Sequence, residues 1–165
     1  MLGLAIFAQF ALGCWMLEVP KDPPGVRAGW FNVHKSIGIT LAACVLLRLL
    51  WRLGHPGPSL PASLPRMQRV AAAGTHWALY ACMLVMPLSG YLGSSFSGYP
   101  IKYFGSALPQ WGWNWPAAKA VLSSVHLAAA WLLAVLIALH VVAALWHALR
   151  RDGLCSRMWP QWRTS

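Results

Sequence analysis

Acidic side chains are almost missing from this chain. Of 165 residues only Glu18, Asp22 and Asp152 are acidic, and all charged residues together make up 10 %. A soluble domain of this length carries about a quarter charged residues, so an ordinary water-facing surface is excluded. Paired cysteines are missing as well: Cys14, Cys44, Cys82 and Cys155 form no CxxC and no paired spacing, which removes a disulfide scaffold and a thiolate metal site. Cys14, Cys44 and Cys82 lie in apolar runs and read as small buried hydrophobes. There is no nucleophile–base set and no phosphate-binding loop. The stretch "FALGC" near the start loosely resembles a lipoprotein cleavage site, but no charge precedes it from Met1 to Met16, so the basic n-region of a secretory signal is absent.

What is present is apolar sequence, 58 % of the chain. It falls into four blocks, roughly 2–18, 30–53, 71–95 and 120–149. Each approaches the ~20 residues that an α-helix needs to span hydrocarbon. The expected fold is an all-α membrane protein, a four-transmembrane-helix bundle over 1–155 followed by a basic tail at 156–165.

The net charge of +10 is placed for a membrane rather than for nucleic acid. Arg48, Arg52, Arg66 and Arg69 surround the connection between blocks two and three, and Arg150, Arg151, Arg157 and Arg163 follow block four. The other two connections hold Lys21, Arg27, Lys35, Lys102 and Lys119 beside Glu18 and Asp22. By the positive-inside rule the arginine-rich loop and the C-terminus are cytoplasmic, and four crossings put the N-terminus there too. The proline-rich "HPGPSLPASLPR" reads as the cytoplasmic connection. The aromatic "SGYPIKYFGSALPQWGWNWP", broken by Gly and Pro, is expected to lie across the external mouth, because Trp and Tyr favour the membrane interface.

Histidines carry the chemistry. His126 and His140 lie fourteen residues apart in block four. On a helix that spacing rises about 21 Å and returns within about 40° of the same azimuth, so both imidazoles share one face at opposite depths. His147 shares that face beyond the cytoplasmic boundary and reads as interfacial; His55, in the proline loop, reads as solvated. With alternating helix directions, His34 near the start of block two lies at the external level with His126, and His76 near the start of block three lies level with His140.

Two layers of inward imidazoles suit two stacked haems, since haem iron accepts imidazole on both axial sides. Gly38, one turn from His34, would leave room for a flat macrocycle. Arg48 and Arg52 share His34's face at the cytoplasmic end, placed either to pair with propionates or simply to mark topology. A membrane histidine also serves as a helix–helix hydrogen bonder, and for His76 that alternative has equal weight. A proton relay or a transition-metal transporter is the rival use of the same residues. Against it, no Asp or Glu lies within the blocks away from their ends.

The segments "FNVHKSIGITLAACVLLRLLWRL", "GTHWALY" and "VHLAAAWLLAVLIALHVVAALWHAL", with "YPIKYFG" between them, resemble helices two, three and four and the following loop of the bacterial cytochrome b561 family. The likeness covers about residues 4–155, and its most specific element is the fourteen-residue histidine spacing, shared with cytochrome b subunits of membrane hydrogenases and formate dehydrogenases. The resemblance implies a four-helix inner-membrane protein with two b-type haems that moves electrons to or from ubiquinone, and some members are superoxide:ubiquinone oxidoreductases. It implies that His34 pairs with His126 at the external haem and that His140 serves the internal one. The implied partners are lipid, quinone, and either superoxide or a partner redox protein; the alternatives are a haem-binding anchor subunit of a dehydrogenase or hydrogenase, and a haem-free transporter.

One departure matters. Family members place a histidine at the cytoplasmic start of helix one, whereas no histidine precedes His34 here. The expectation is therefore one firmly held haem, and a second if the N-terminus extends upstream of Met1 to an in-frame histidine. His76 is the substitute opposite His140 otherwise.

Overall fold

The computed structural model describes residues 2–55 and 65–150. The tail expected at 156–165, Arg151, Arg157, Arg163, Cys155 and most of the proline-rich loop lie outside those residues.

Four helices account for most of the chain: α1 (Leu2–Glu18), α2 (Val26–Gly54), α3 (Arg66–Ser95) and α4 (Pro116–Arg150). Their ends follow local chemistry. Gly25, with φ 94°, precedes α2 in a conformation that disfavours side chains. Pro65 precedes α3, and Pro116 opens α4, where a missing N–H costs nothing. Three helices, α2, α3 and α4, are long and apolar enough to cross a membrane; α1 is a shorter apolar helix of 17 residues. At 1.5 Å per residue α1 reaches only about 25 Å, against about 30 Å of hydrocarbon. The 35 residues of α4 exceed that thickness.

Packing defines the ring. Backbone approaches join α1 with α2, α2 with α3, α3 with α4 and α4 with α1, while the diagonal pairs have none. The closest-packed neighbours are α3 and α4, because small residues line their contact. A Cβ at Gly93 would already lie 3.4 Å from Leu122 Cβ, and Ala129 and Ala130 are buried opposite. Such small residues let helix backbones approach where lipid supplies no hydrophobic drive.

Outward faces are apolar: Leu47, Trp51, Leu88 and Leu149 are all more than half exposed. In water each such side chain would forgo roughly 1.5–3 kcal/mol of burial; against acyl chains the loss disappears. Inside, Ser36, Ser89 and Ser95 are buried, and each hydroxyl donates to the carbonyl four residues earlier, Asn32, Val85 and Tyr91. That satisfies a polar group where no water is available.

The segment between α3 and α4 is not wholly irregular. It contains an antiparallel hairpin, β1 (Ile101–Tyr103) and β2 (Ser106–Leu108), in the register Ile101↔Leu108 and Tyr103↔Ser106. The two turn residues, Phe104 and Gly105, have φ 44° and 96°, the paired positive values that match strand twist in a two-residue hairpin. The expectation of an all-α chain therefore needs this addition. A short strand within an aromatic loop lacks a long alternating pattern, so only the "FG" turn could have signalled it.

The hairpin is tied to α2. Ser36 Oγ accepts the Phe104 N–H at 2.9 Å, and Thr40 Oγ1 lies 3.2 Å from the Tyr103 hydroxyl. Ile101 is 1 % exposed beneath it. The hairpin thus closes one end of the ring at the level of His34.

Candidate haem site

Two pairs of imidazoles occupy opposite ends of the helix ring. His34 on α2 and His126 on α4 have ring centres 6.4 Å apart, near the hairpin. His76 on α3 and His140 on α4 have ring centres 5.4 Å apart, toward the other end. The depth matching expected from the spacing is thus present in the geometry. The pairs differ in one respect: α2 and α4 form a diagonal of the ring, whereas α3 and α4 are its tightest neighbours. Only the His34/His126 pair reaches across the ring diagonal.

Each upper imidazole has a prepared setting. His126 Nδ1 lies 2.8 Å from the Met86 carbonyl and 3.3 Å from Ser89 Oγ. A carbonyl only accepts, so Nδ1 carries the proton and Nε2 keeps its lone pair for a metal. The turn around Pro87, inside α3, supplies this acceptor. A Cβ at Gly90 would lie 3.0 Å from His126 Cε1, so the stretch "MPLSG" forms acceptor, hydroxyl and clearance for one ring.

His34 is held by α1. A Cβ at Gly13 would lie 3.1 Å from His34 Cε1, and Gln9 Nε2 donates to the His34 carbonyl at 2.6 Å. His34 Nδ1 is buried without a hydrogen-bond partner. Gly38 does not face an open slot for a macrocycle: a Cβ there would lie 3.3 Å from Gln9 Nε2, so the amide takes that space. Gln9, Gly13, Met86, Ser89 and Gly90 were missed in the sequence. The available signals were a lone amide in an apolar helix and a glycine three residues after a helix-interior proline.

The arginines sit at the lower end. Arg48 and Arg52 are exposed, Arg52 is in the last turn of α2, and His140 and Arg52 are the electrostatic neighbours of His76. At the hairpin end Lys35 has Lys119 as its charged neighbour. Arg27 is committed to the α1–α2 corner, donating to the Leu17 carbonyl at 2.9 Å with its guanidinium 5.9 Å from the Phe31 ring centre. His55 is exposed and stacks on Trp51 with ring centres 3.9 Å apart.

The donor set fits haem. Two imidazoles bound to opposite sides of one metal hold their ring centres roughly 6 Å apart, given metal–nitrogen bonds of about 2 Å. The upper pair matches that span, and the lower pair is tighter. Among the described residues no group of three or more His, Cys, Asp or Glu could hold a metal ion, so the upper pair lacks the companions of a protein-only zinc or copper site.

The prokaryotic cytochrome b561 model matches residues 1–161. The chain belongs to that family. It is 34 % identical over 162 residues to "Cytochrome b561 homolog 2" of Escherichia coli (strain K12), covering 94 % of this chain and 84 % of that protein. It is 30 % identical over 151 residues to "Probable superoxide oxidase CybB" of Yersinia pestis, covering 89 % and 85 %. This membership makes the chain a membrane cytochrome and implies haem b.

Proposed function

We propose that this cytochrome holds one haem b between His34 and His126 and carries electrons between a donor at the hairpin end and ubiquinone. The observation that carries the reading is the facing of two imidazoles across the ring diagonal, 6.4 Å apart, with the His126 tautomer set by Met86. Haem held there by His34 and His126 would supply reversible one-electron redox chemistry, with a potential tuned by those imidazoles and their surroundings.

The chain's own residues do the rest. His34 and His126 would present Nε2 from opposite helices. Gly13 and Gly90 leave the rings clearance, and the hairpin tied to Ser36 covers the end of the site. The apolar helix faces seat the whole in lipid, as a multi-pass protein of the bacterial inner membrane with both termini cytoplasmic. Lys35, Lys102 and Lys119 place positive charge at the hairpin end, which favours an anionic donor such as superoxide through local potential. The relative named as a probable superoxide oxidase supports that donor. At the other level His140, with His76 facing it at 5.4 Å, is the candidate for a second haem, and Arg48 and Arg52 stand ready for its propionates.

The test is a haem-to-protein ratio and reduced-minus-oxidised spectrum of the full chain, its His34→Ala and His126→Ala variants, and His76→Ala and His140→Ala. A sharp low-spin b band lost in either of the first two supports the upper site. Loss of a second haem in either of the last two supports the lower one.

A further inference from the structure

Gln9 is the single amide within α1, whose other side chains from Leu2 to Met16 are apolar apart from Cys14. A half-satisfied amide in a membrane helix is costly and is retained for a reason. Its orientation is fixed chemically. The His34 carbonyl can only accept, so the nitrogen of Gln9 must face it, as the 2.6 Å contact shows. That leaves Oε1 as the remaining acceptor, and Oε1 is buried with no hydrogen-bond partner. The other buried side-chain polar atom without a partner, among the described residues, is His34 Nδ1. One surplus acceptor and one unpaired ring nitrogen therefore belong to two residues already joined by a hydrogen bond.

The opposite imidazole shows what such a nitrogen requires. His126 Nδ1–H has its acceptor, the Met86 carbonyl at 2.8 Å. His34 Nδ1 has no such acceptor within hydrogen-bonding distance; its ring faces Gly13 on α1. Gln9, bonded to the His34 carbonyl and packed 3.3 Å from where a Gly38 Cβ would lie, brings an unused acceptor to the same residue.

We infer that Gln9 is a positioning residue for the His34 ligand: its Oε1 accepts the His34 Nδ1–H, through a small turn of the amide or one bridging water, and so fixes Nε2 toward the interior. This rests on the proposed haem site. Outer partners of a ligating imidazole fix its tautomer and raise its basicity. A more basic imidazole favours the oxidised iron, so removing the acceptor raises the reduction potential.

The experiment is a potentiometric titration of the full chain purified with haem, together with haem retention against an excess haem acceptor. Gln9→Leu is expected to shift the midpoint of the His34/His126 haem upward and to weaken retention by about ten-fold or more. Gln9→Glu, whose carboxylate is the stronger acceptor, is expected to shift the midpoint downward. A carboxylate lowers the midpoint by its charge alone, so the upward shift in the uncharged Gln9→Leu is the reading that a purely structural amide would not give. Gln9→Leu that keeps its haem at the wild-type midpoint overturns the inference while leaving the haem site intact. If Gln9→Leu loses haem altogether, Gln9→Met, neutral and without an amide oxygen, decides: a raised midpoint supports Gln9 as the acceptor, and an unchanged one overturns it. A wild-type chain without haem overturns the site itself, and this inference with it.

Discussion

His34 and His126 are drawn from helices whose backbones do not approach each other, and this sets the first prediction. Either His34→Ala or His126→Ala is expected to remove the same haem, because a bis-imidazole site loses half of its axial field with either change. Stoichiometry and the α-band of the reduced protein check it; a variant retaining both would break the pairing. A second prediction concerns clearance. A Cβ at Gly90 or Gly13 would meet the imidazoles at 3.0 or 3.1 Å, tighter than most real side-chain contacts. Gly90→Val and Gly13→Val should therefore deplete haem strongly, and the Ala variants less, since a ring must then shift only a few tenths of an ångström. The histidines themselves were legible: a fourteen-residue spacing is a statement about helix geometry. Their supports were not. Nothing in the one-dimensional pattern says that Gly13 faces His34 rather than lipid, or that the Met86 carbonyl has a second partner.

At the level of elements, α2, α3 and α4 were readable because long apolar runs have few other solutions. Their ends moved outward relative to the apolar blocks, α4 starting at Pro116 rather than near 120 and α3 at Arg66 rather than near 71. Helical hydrogen bonding continues past the point where hydrophobicity stops. The β1–β2 hairpin was not readable, since its strands are three residues each and its pairing is specified by the turn and by Ser36. That dependence yields a third prediction. Ser36→Ala removes the acceptor of the Phe104 N–H, a hydrogen bond worth about 1 kcal/mol net. Amide hydrogen exchange across 101–108 should speed up several-fold, with the haem content unchanged. Exchange as slow as in the wild type would show that the apolar burial of Ile101 alone holds the hairpin.

For the whole molecule, the apolar exterior, the ring of helices and family membership describe a membrane cytochrome, and the donor is the open term. If superoxide is drawn by the lysines at the hairpin end, haem reduction by superoxide should slow as ionic strength rises, because steering is screened over about 10 Å at 0.1 M salt. Stopped-flow reduction across a salt series checks this. A salt-independent rate would remove the lysines from the account, and inertness to superoxide beside rapid reduction by a co-purifying dehydrogenase would make the chain an anchor subunit.

The central claim is that His34 and His126 clasp haem b, and the absorption spectrum of the purified full chain from haem-replete cells tests it most directly. A sharp low-spin α-band is expected on dithionite reduction, at one haem or more per chain, as is its loss with His126→Ala. A correctly inserted chain that is colourless, or whose band survives that substitution, would contradict it.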